Sequence, residues 1–438
     1  MRRYREERAV LSGDRPARDA AAAWLERHGL PRRTVESWKY TDLRPLWSGR
    51  FGPARTEPAD ARRRFDTVSD LVGPVDGDTA LAVFADGHFV AEASRLPDGF
   101  ACHAGMSDTG PDAEAGRGVA QADELDGGAA GEDAARHPMV TLNAMLATDG
   151  LTVSVPDGVD GGRIVLVTLG AEGVGCHLRH RITLGRGASL QLVEVAAGTG
   201  AYLNEGVLEI ELATEARLGH VRLQRDALAA LSFSTVRTVI AERASYDGFN
   251  LALGASLARH EVLATLAGPH AIVHVNGAQL LDGSQVADLT SRIEHDAPHC
   301  NSRQTVKNVL LGRARGVFQG KIVVARPAQK TDGYQMNQAL LLSEAAEIDA
   351  KPELEIYADD VKCSHGATVG ALDEEQLFYL RSRGVPLAEA RAILVRAFLD
   401  DALALVGDEA AREVLERAVE NWWTGREATA EAAVERAA

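Results

Sequence analysis

Cysteine is scarce in this chain: Cys102, Cys176, Cys300 and Cys363 are the only four in 438 residues, and no CxxC pair occurs. That spacing argues against a disulfide framework, and reduced thiols in a cytoplasmic setting are the expectation. Positive charge is also in deficit. Lys and Arg number 47 against 63 Asp and Glu, a net charge of -16, and no long basic block is present. A phosphate-neutralising surface for nucleic acid is therefore not expected. No apolar run approaches the roughly 18 residues needed to cross a bilayer. The opening stretch MRRYREERAVLSGDRPARDA is basic but lacks the apolar segment of a secretory signal.

Familiar nucleotide and hydrolase signatures are missing as well. GRARGVFQGKI, from Gly312 to Ile322, ends in Gly-Lys, yet it has Arg315 where a phosphate loop needs Gly and Ile322 where it needs Ser or Thr. No GxGxxG opens a helix, and neither HExxH nor GxSxG occurs.

What is present is ordinary globular material, 45% hydrophobic and 25% charged, arranged in three parts. Residues 1–78 read as helical, with Pro16 early in PARDAAAAWLERHG and Gly29 closing it. Residues 79–360 read as β-rich, beginning with a hairpin turned at Asp86-Gly87 and including a Gly, Ala and Asp-rich segment at about 106–136 that is expected to be a mobile loop. Residues 361–438 read as a C-terminal helical domain. Asp373 and Gln376 there form a capping box, and Pro386 and Asp408 open further helices.

The β-rich part contains a repeat. Ala188, Ala216 and Ala244 fall in one column, 28 residues apart each time (216 minus 188, 244 minus 216), and align ASLQLVEV, ARLGHVRL and ASYDGFNL. A period of this length built from strands and turns predicts a solenoid, most simply a right-handed parallel β-helix. A β-sandwich with coincidental spacing is the alternative. The phase slips after residue 270.

Three clusters have metal-ligand chemistry. In CHLRH, the neighbours Cys176 and His177 would point to opposite faces of a strand, with His180 further on, so a structural role is expected. In HDAPHC, Pro298 forces a loop that can gather His295, His299 and Cys300, or simply form a polar turn. In KCSHGATVG, an extended chain places Cys363 and His365 on one face, about 6.5 to 7 Å apart along the strand. A thiolate and an imidazole suit iron or zinc, not magnesium or calcium. Two ligands are fewer than the four of a closed site, so a second chain or a substrate must complete it. A buried thiol beside a hydrogen-bonded imidazole is the competing reading.

Residues 352–370 (PELEIYADDVKCSHGATVG) and 372–384 (LDEEQLFYLRSRG) resemble the SufB/SufD family of the Suf iron–sulfur cluster assembly machinery, on its SufD side. The likeness extends back through HDAPHCNSRQTVKNVLLGRARGVFQGKI, and ESWKYTDL, from Glu36 to Leu43, is similar to the family's opening signature. SufB-like chains carry Glu after the motif histidine, where this sequence has Gly366, and commonly an N-terminal cysteine cluster that this sequence lacks. The resemblance implies a β-helix core between helical segments and a non-enzymatic subunit that pairs with SufB and docks the ATPase SufC. A homodimer is expected when SufB is missing. It further implies no tightly bound cofactor in the chain alone, but a transient iron or iron–sulfur cluster shared with SufB, with His365 as the motif ligand and Cys363 beside it. The C-terminal helices would dock SufC, with Leu377, Leu380, Ile393, Leu394 and Phe398 as the apolar stripe. A β-helix polysaccharide lyase or hydrolase is the rival reading, and a zinc hydrolase built on HDAPHC is a third. The adjacent Asp359 and Asp360 would face opposite sides of a strand, which speaks against a carboxylate pair for hydrolysis.

Overall fold

The computed structural model describes residues 1–11, 13–48, 51–53, 57–77, 79–96, 101–104 and 137–437, so the loop expected at 106–136 lies outside the described residues. The core is a parallel β-solenoid of about 8 turns. From Asp160 onward the chain alternates between two sheets, giving one strand to each per coil, so that the strands Ser189–Gly198, Arg217–Arg225 and Ser245–Ala252 stack in one sheet and Leu203–Leu212, Leu231–Ile240 and Leu257–Leu266 in the other.

The 28-residue column is a physical register. Ser189 pairs with Arg217 and Arg217 with Ser245, each one position after the aligned alanines. The column continues through Ile272, Asn301, Asp332 and Lys362, and its uneven steps are the slip seen in the sequence. Turns stack in the same way. Glu215, Arg243, His270, His299 and Lys330 all adopt positive φ between 55° and 64°, a conformation that L-residues resist. Each donates its N–H to the turn of the next coil, as Arg243 does to Pro269 O at 3.0 Å and His299 to Gln329 O at 2.9 Å. Coil-to-coil hydrogen bonding thus holds the left-handed turns in place.

Both outer faces are covered, which is why many strands read as unbroken apolar runs instead of alternating. The N-terminal helix Arg15–His28, capped by Asp14 through the Ala17 N–H at 3.2 Å, packs with Trp24, Trp38, Met139 and Met145 onto Leu203, Leu231 and Leu257. The C-terminal helices Leu387–Leu403 and Glu409–Ala437 lay Val395, Leu399, Val414 and Leu415 onto Val193, Val221 and Leu251 of the other sheet. Between the sheets lies an aliphatic lumen, where Leu190 and Leu192 meet Leu208 and Ile210.

The signature ESWKYTDL is a clasp. Trp38 is buried beneath the guanidinium of Arg259, whose carbon stands 4.1 Å from the ring centroid. Arg259 also donates to Ser37 O at 3.0 Å and pairs with Asp288 at 2.7 Å, and Thr41 donates its hydroxyl to the same Asp288 carboxylate. Gln319 adds a bond to Asp288 at 3.2 Å, and Glu36 reaches Lys351 at 2.8 Å. The N-terminal segment is thereby fastened across four neighbouring coils.

The two ends of the solenoid differ. At the N-terminal end, His88–Phe89 and Ala101–Ala104 pair antiparallel with their neighbours and close the two sheets. At the other end the last strands, Glu347–Ile356 and Lys362–Gly370, pair on one side only among the described residues. Lys362–Gly370 is a full member of its sheet, in register with Asp332–Leu340, so the solenoid runs to Gly370 and the sequence-based boundary at 361 falls one strand early.

Candidate functional site

The open end is built by the strand Lys362–Gly370. Its alternation turns Cys363 and His365 toward the lumen side and Ser364 outward, in line with the strands beneath: Cys363 continues the column Ser302–Gly333, and His365 continues Gln304–Gln335. Earlier members of these columns are sealed in the core, whereas His365, with no coil above it, is exposed. Cys363 is half-buried, packed with Ile322, Val324 and Leu354. Gly333 makes room for it, since a Cβ there would stand 3.4 Å from Cys363 Sγ. Burial pushes the Cys363 thiol above its ordinary range, so the free chain presents a thiol beside an accessible imidazole. Gly366 lets the neighbouring Met336 lie over the strand, and a Cβ at that position would meet the methionine Cε at 2.9 Å.

On the outer side of the same end is an open concavity of about 490 Å³, lined by Arg303, Asp332, Tyr334, Lys362, Cys363 and Ser364. Arg303 pairs with Asp332 at 3.0 Å. Around it the free edge exposes Ile356, Tyr357 and Val369, the tyrosine by 62%. Pro352 sits in the other terminal strand and removes a donor there, which leaves Lys362–Gly370 as the better template for a further strand.

The other candidate ligands are dispersed. His295 is fully buried, with Nε2 2.9 Å from Ser302 Oγ, and burial lowers its imidazole to about 4. His299 occupies the left-handed turn position and stacks on His270 at 4.8 Å. Cys300 takes the next column position after Ala271 at the turn, donates its thiol to Gly268 O at 3.3 Å, and is raised in pKa by burial. HDAPHC is thus one more turn of the stack, and its three candidate ligands are held in three separate settings. Cys176 is buried, His177 bonds Glu205 at 3.0 Å, and His180 accepts the Leu151 N–H at 3.0 Å. Burial drives His177 down and Glu205 up to about 8, so that pair is held as a neutral acid and a neutral imidazole. Among the described residues, no three His, Cys, Asp or Glu side chains are grouped to hold one ion. The donors at the open end therefore number two, and a closed site there needs ligands from elsewhere.

The helix Glu374–Ser382 follows the site directly. Leu377, expected on a docking stripe, is turned inward and buried, while Leu380, Leu394 and Phe398 are half-buried. Phe398 packs against the helical core beneath Lys307, whose ammonium lies 4.5 Å from the ring centroid. The side chains that face outward are Phe378 (74% exposed), Tyr379 (57%), Leu387 and Ile393. Four consecutive apolar residues, Leu377 to Leu380, surround a helix of 3.6 residues per turn, so some of them had to face solvent. The sequence contained that signal.

A family model described as the SUF system FeS cluster assembly, SufBD core domain, matches residues 167–398. The chain is 32% identical over 397 residues to the iron-sulfur cluster assembly protein SufD of Escherichia coli (strain K12), covering 89% of this chain and 88% of that protein. The chain belongs to the SufBD family. A SufBD family protein of Synechocystis is 29% identical over 91% of this chain and 90% of its own length. The chloroplastic protein ABCI7 of Arabidopsis thaliana is 29% identical over 87% and 80%. This SufD-like chain has a role in iron–sulfur cluster assembly, which sets aside the polysaccharide-lyase and zinc-hydrolase readings. Asp360 accordingly stands as a turn residue, paired with Lys330 of the coil below. No described helix is long and apolar enough to cross a membrane.

Proposed function

We propose that this chain is a non-catalytic scaffold of a cytoplasmic Suf complex, in which its open solenoid end pairs with a SufB-like subunit and the two together hold the nascent cluster. The observation that carries this reading is the exposed His365 at the free edge of an uncapped sheet. Iron and sulfide are the cargo here, and neither is held by the chain alone, because two donors do not close a site. His365 is the ligand of this subunit, neutral imidazole being suited to iron. Cys363 is second in rank: its half-buried thiol has to lose a proton before it can ligate. When a SufB-like partner is missing, the same edge pairs with a second copy of this chain. The outward face of Phe378, Tyr379, Leu387 and Ile393 docks the SufC-like ATPase.

That docking face is tested by co-expression with both partners. Exposed aromatic anchors at an interface typically account for about 2 kcal/mol or more apiece. The double substitution Phe378→Asp and Tyr379→Ser is therefore expected to lower capture of the ATPase by about 30-fold or more, with capture of the SufB-like subunit unchanged. Leu377→Ala, by contrast, is expected to act through the stability of the helical segment. Equal capture of the ATPase by the double variant and the unsubstituted chain would place its docking surface elsewhere.

A further inference from the structure

The lumen changes character toward its open end. In the earlier coils its inward columns are largely aliphatic, and where they are polar charged side chains bond to one another and to amides, as where Arg222 meets Glu194 at 2.9 Å and Asn250 at 3.0 Å. In the coils just beneath Cys363 and His365 the same columns carry Ser302, Gln304, Asn308, Gln335 and Asn337, all fully buried. A buried amide without a partner destabilises a fold, so each of these needs a physical account.

Gln304, Gln335 and His365 occupy one column in three successive coils. The opposite sheet presents Ser291, Gly320 and Pro352 in its own successive coils. Ser291 supplies a hydroxyl to Gln304 Oε1 at 2.5 Å. One coil on, Gly320 has no side chain to offer, and a Cβ there would lie 3.0 Å from Gln335 Oε1. Both the donor and the acceptor of the Gln335 amide are consequently without a hydrogen-bond partner. Directly above, one strand spacing away at ~4.8 Å, is the exposed imidazole of His365.

We propose that Gln335 is the positioning residue of His365: its amide hydrogen-bonds the inner ring nitrogen, fixes the tautomer, and leaves the outer nitrogen to face the shared cluster. The amide oxygen accepts from the protonated inner nitrogen, so the outer nitrogen keeps its lone pair for the metal. Metal-binding imidazoles characteristically bond their second nitrogen to a group that orients the ring. The buried amide is fixed, whereas the exposed imidazole turns freely on a picosecond to nanosecond scale, so His365 closes the contact by rotation alone. An apolar residue at 335 would suit the fold better, and the amide is kept for what lies above it. This inference rests on the reading of His365 as the cluster ligand.

The test uses the full chain with ¹⁵N-labelled histidine, its His365 signals assigned by comparison with His365→Ala. One tautomer is expected to dominate. Gln335→Met, close in shape and apolar, is expected to return the ring to a mixture and to raise the thermal midpoint of the chain. In the complex with SufB-like and SufC-like partners, the same variant is expected to carry roughly 10-fold less iron and sulfide. Gln335→Leu serves if the methionine variant does not fold. Unchanged tautomer populations in a folded variant would overturn the proposal, as would a fall in loading matched by a fall in the midpoint. Should His365→Ala leave loading intact while Gln335→Met still shifts the tautomer, the positioning contact stands and the cluster-ligand role of His365 falls.

Discussion

Replacing Asp288 with Ala is expected to cost the chain about 3–5 kcal/mol of stability, the range for removing one member of a buried ion pair. Asp288 is the common acceptor for Arg259 at 2.7 Å, for Gln319 at 3.2 Å, and for the Thr41 hydroxyl. Without it Arg259 keeps one carboxylate, Glu261 at 3.1 Å, which already accepts from His137 at 3.4 Å. The guanidinium that covers Trp38 then loses half its charge compensation, and the N-terminal segment loses its anchor. Urea denaturation measures the loss, and limited proteolysis near Lys39 is expected to accelerate in parallel. The separation of effects is informative: Thr41→Val deletes one hydrogen bond and is expected to cost about 1 kcal/mol. A loss below about 1 kcal/mol for Asp288→Ala would mean that the clasp contributes little.

Replacing His365 with Ala is expected to leave the fold and its melting temperature intact and to remove cluster loading. The side chain is exposed and ends a column instead of supporting one. In the complex co-expressed with SufB-like and SufC-like subunits, iron and sulfide per complex are expected to fall at least about 10-fold, since losing a ligand is more severe than losing the group that orients it. Cys363→Ser is expected to have a smaller effect on loading and a measurable one on stability, because that thiol fills space beside Ile322 and Leu354. If His365→Ala abolished complex formation instead, the residue would belong to the docking surface and not to the cargo site.

How much of this was legible beforehand depends on the range of the interactions. The alanines at 188, 216 and 244 mark a local repeat, and in-register stacking carries that repeat straight into the fold. Two further steps of the same column would have placed Cys300 at a turn after Ala271. The uneven spacing of the later coils hid this, and HDAPHC read as a ligand loop. The extended Cys363 and His365 were visible from alternation alone. That they stand at an open end was not, because it depends on which strands find neighbours. The clasp was recognisable only as a signature. Ser37 and Thr41 meet Arg259 and Asp288 more than 200 positions away, and no local pattern encodes that distance.

Hydrogen–deuterium exchange of the chain with and without a SufB-like partner tests most directly whether the solenoid is completed by another subunit. In a parallel edge strand half of the N–H groups point away from the sheet. Slowed exchange across Lys362–Gly370 on binding, with the antiparallel-capped end near His88–Phe89 unchanged, is the predicted result. Protection confined to other surfaces, with the edge strand exchanging as fast in the complex as alone, would contradict it.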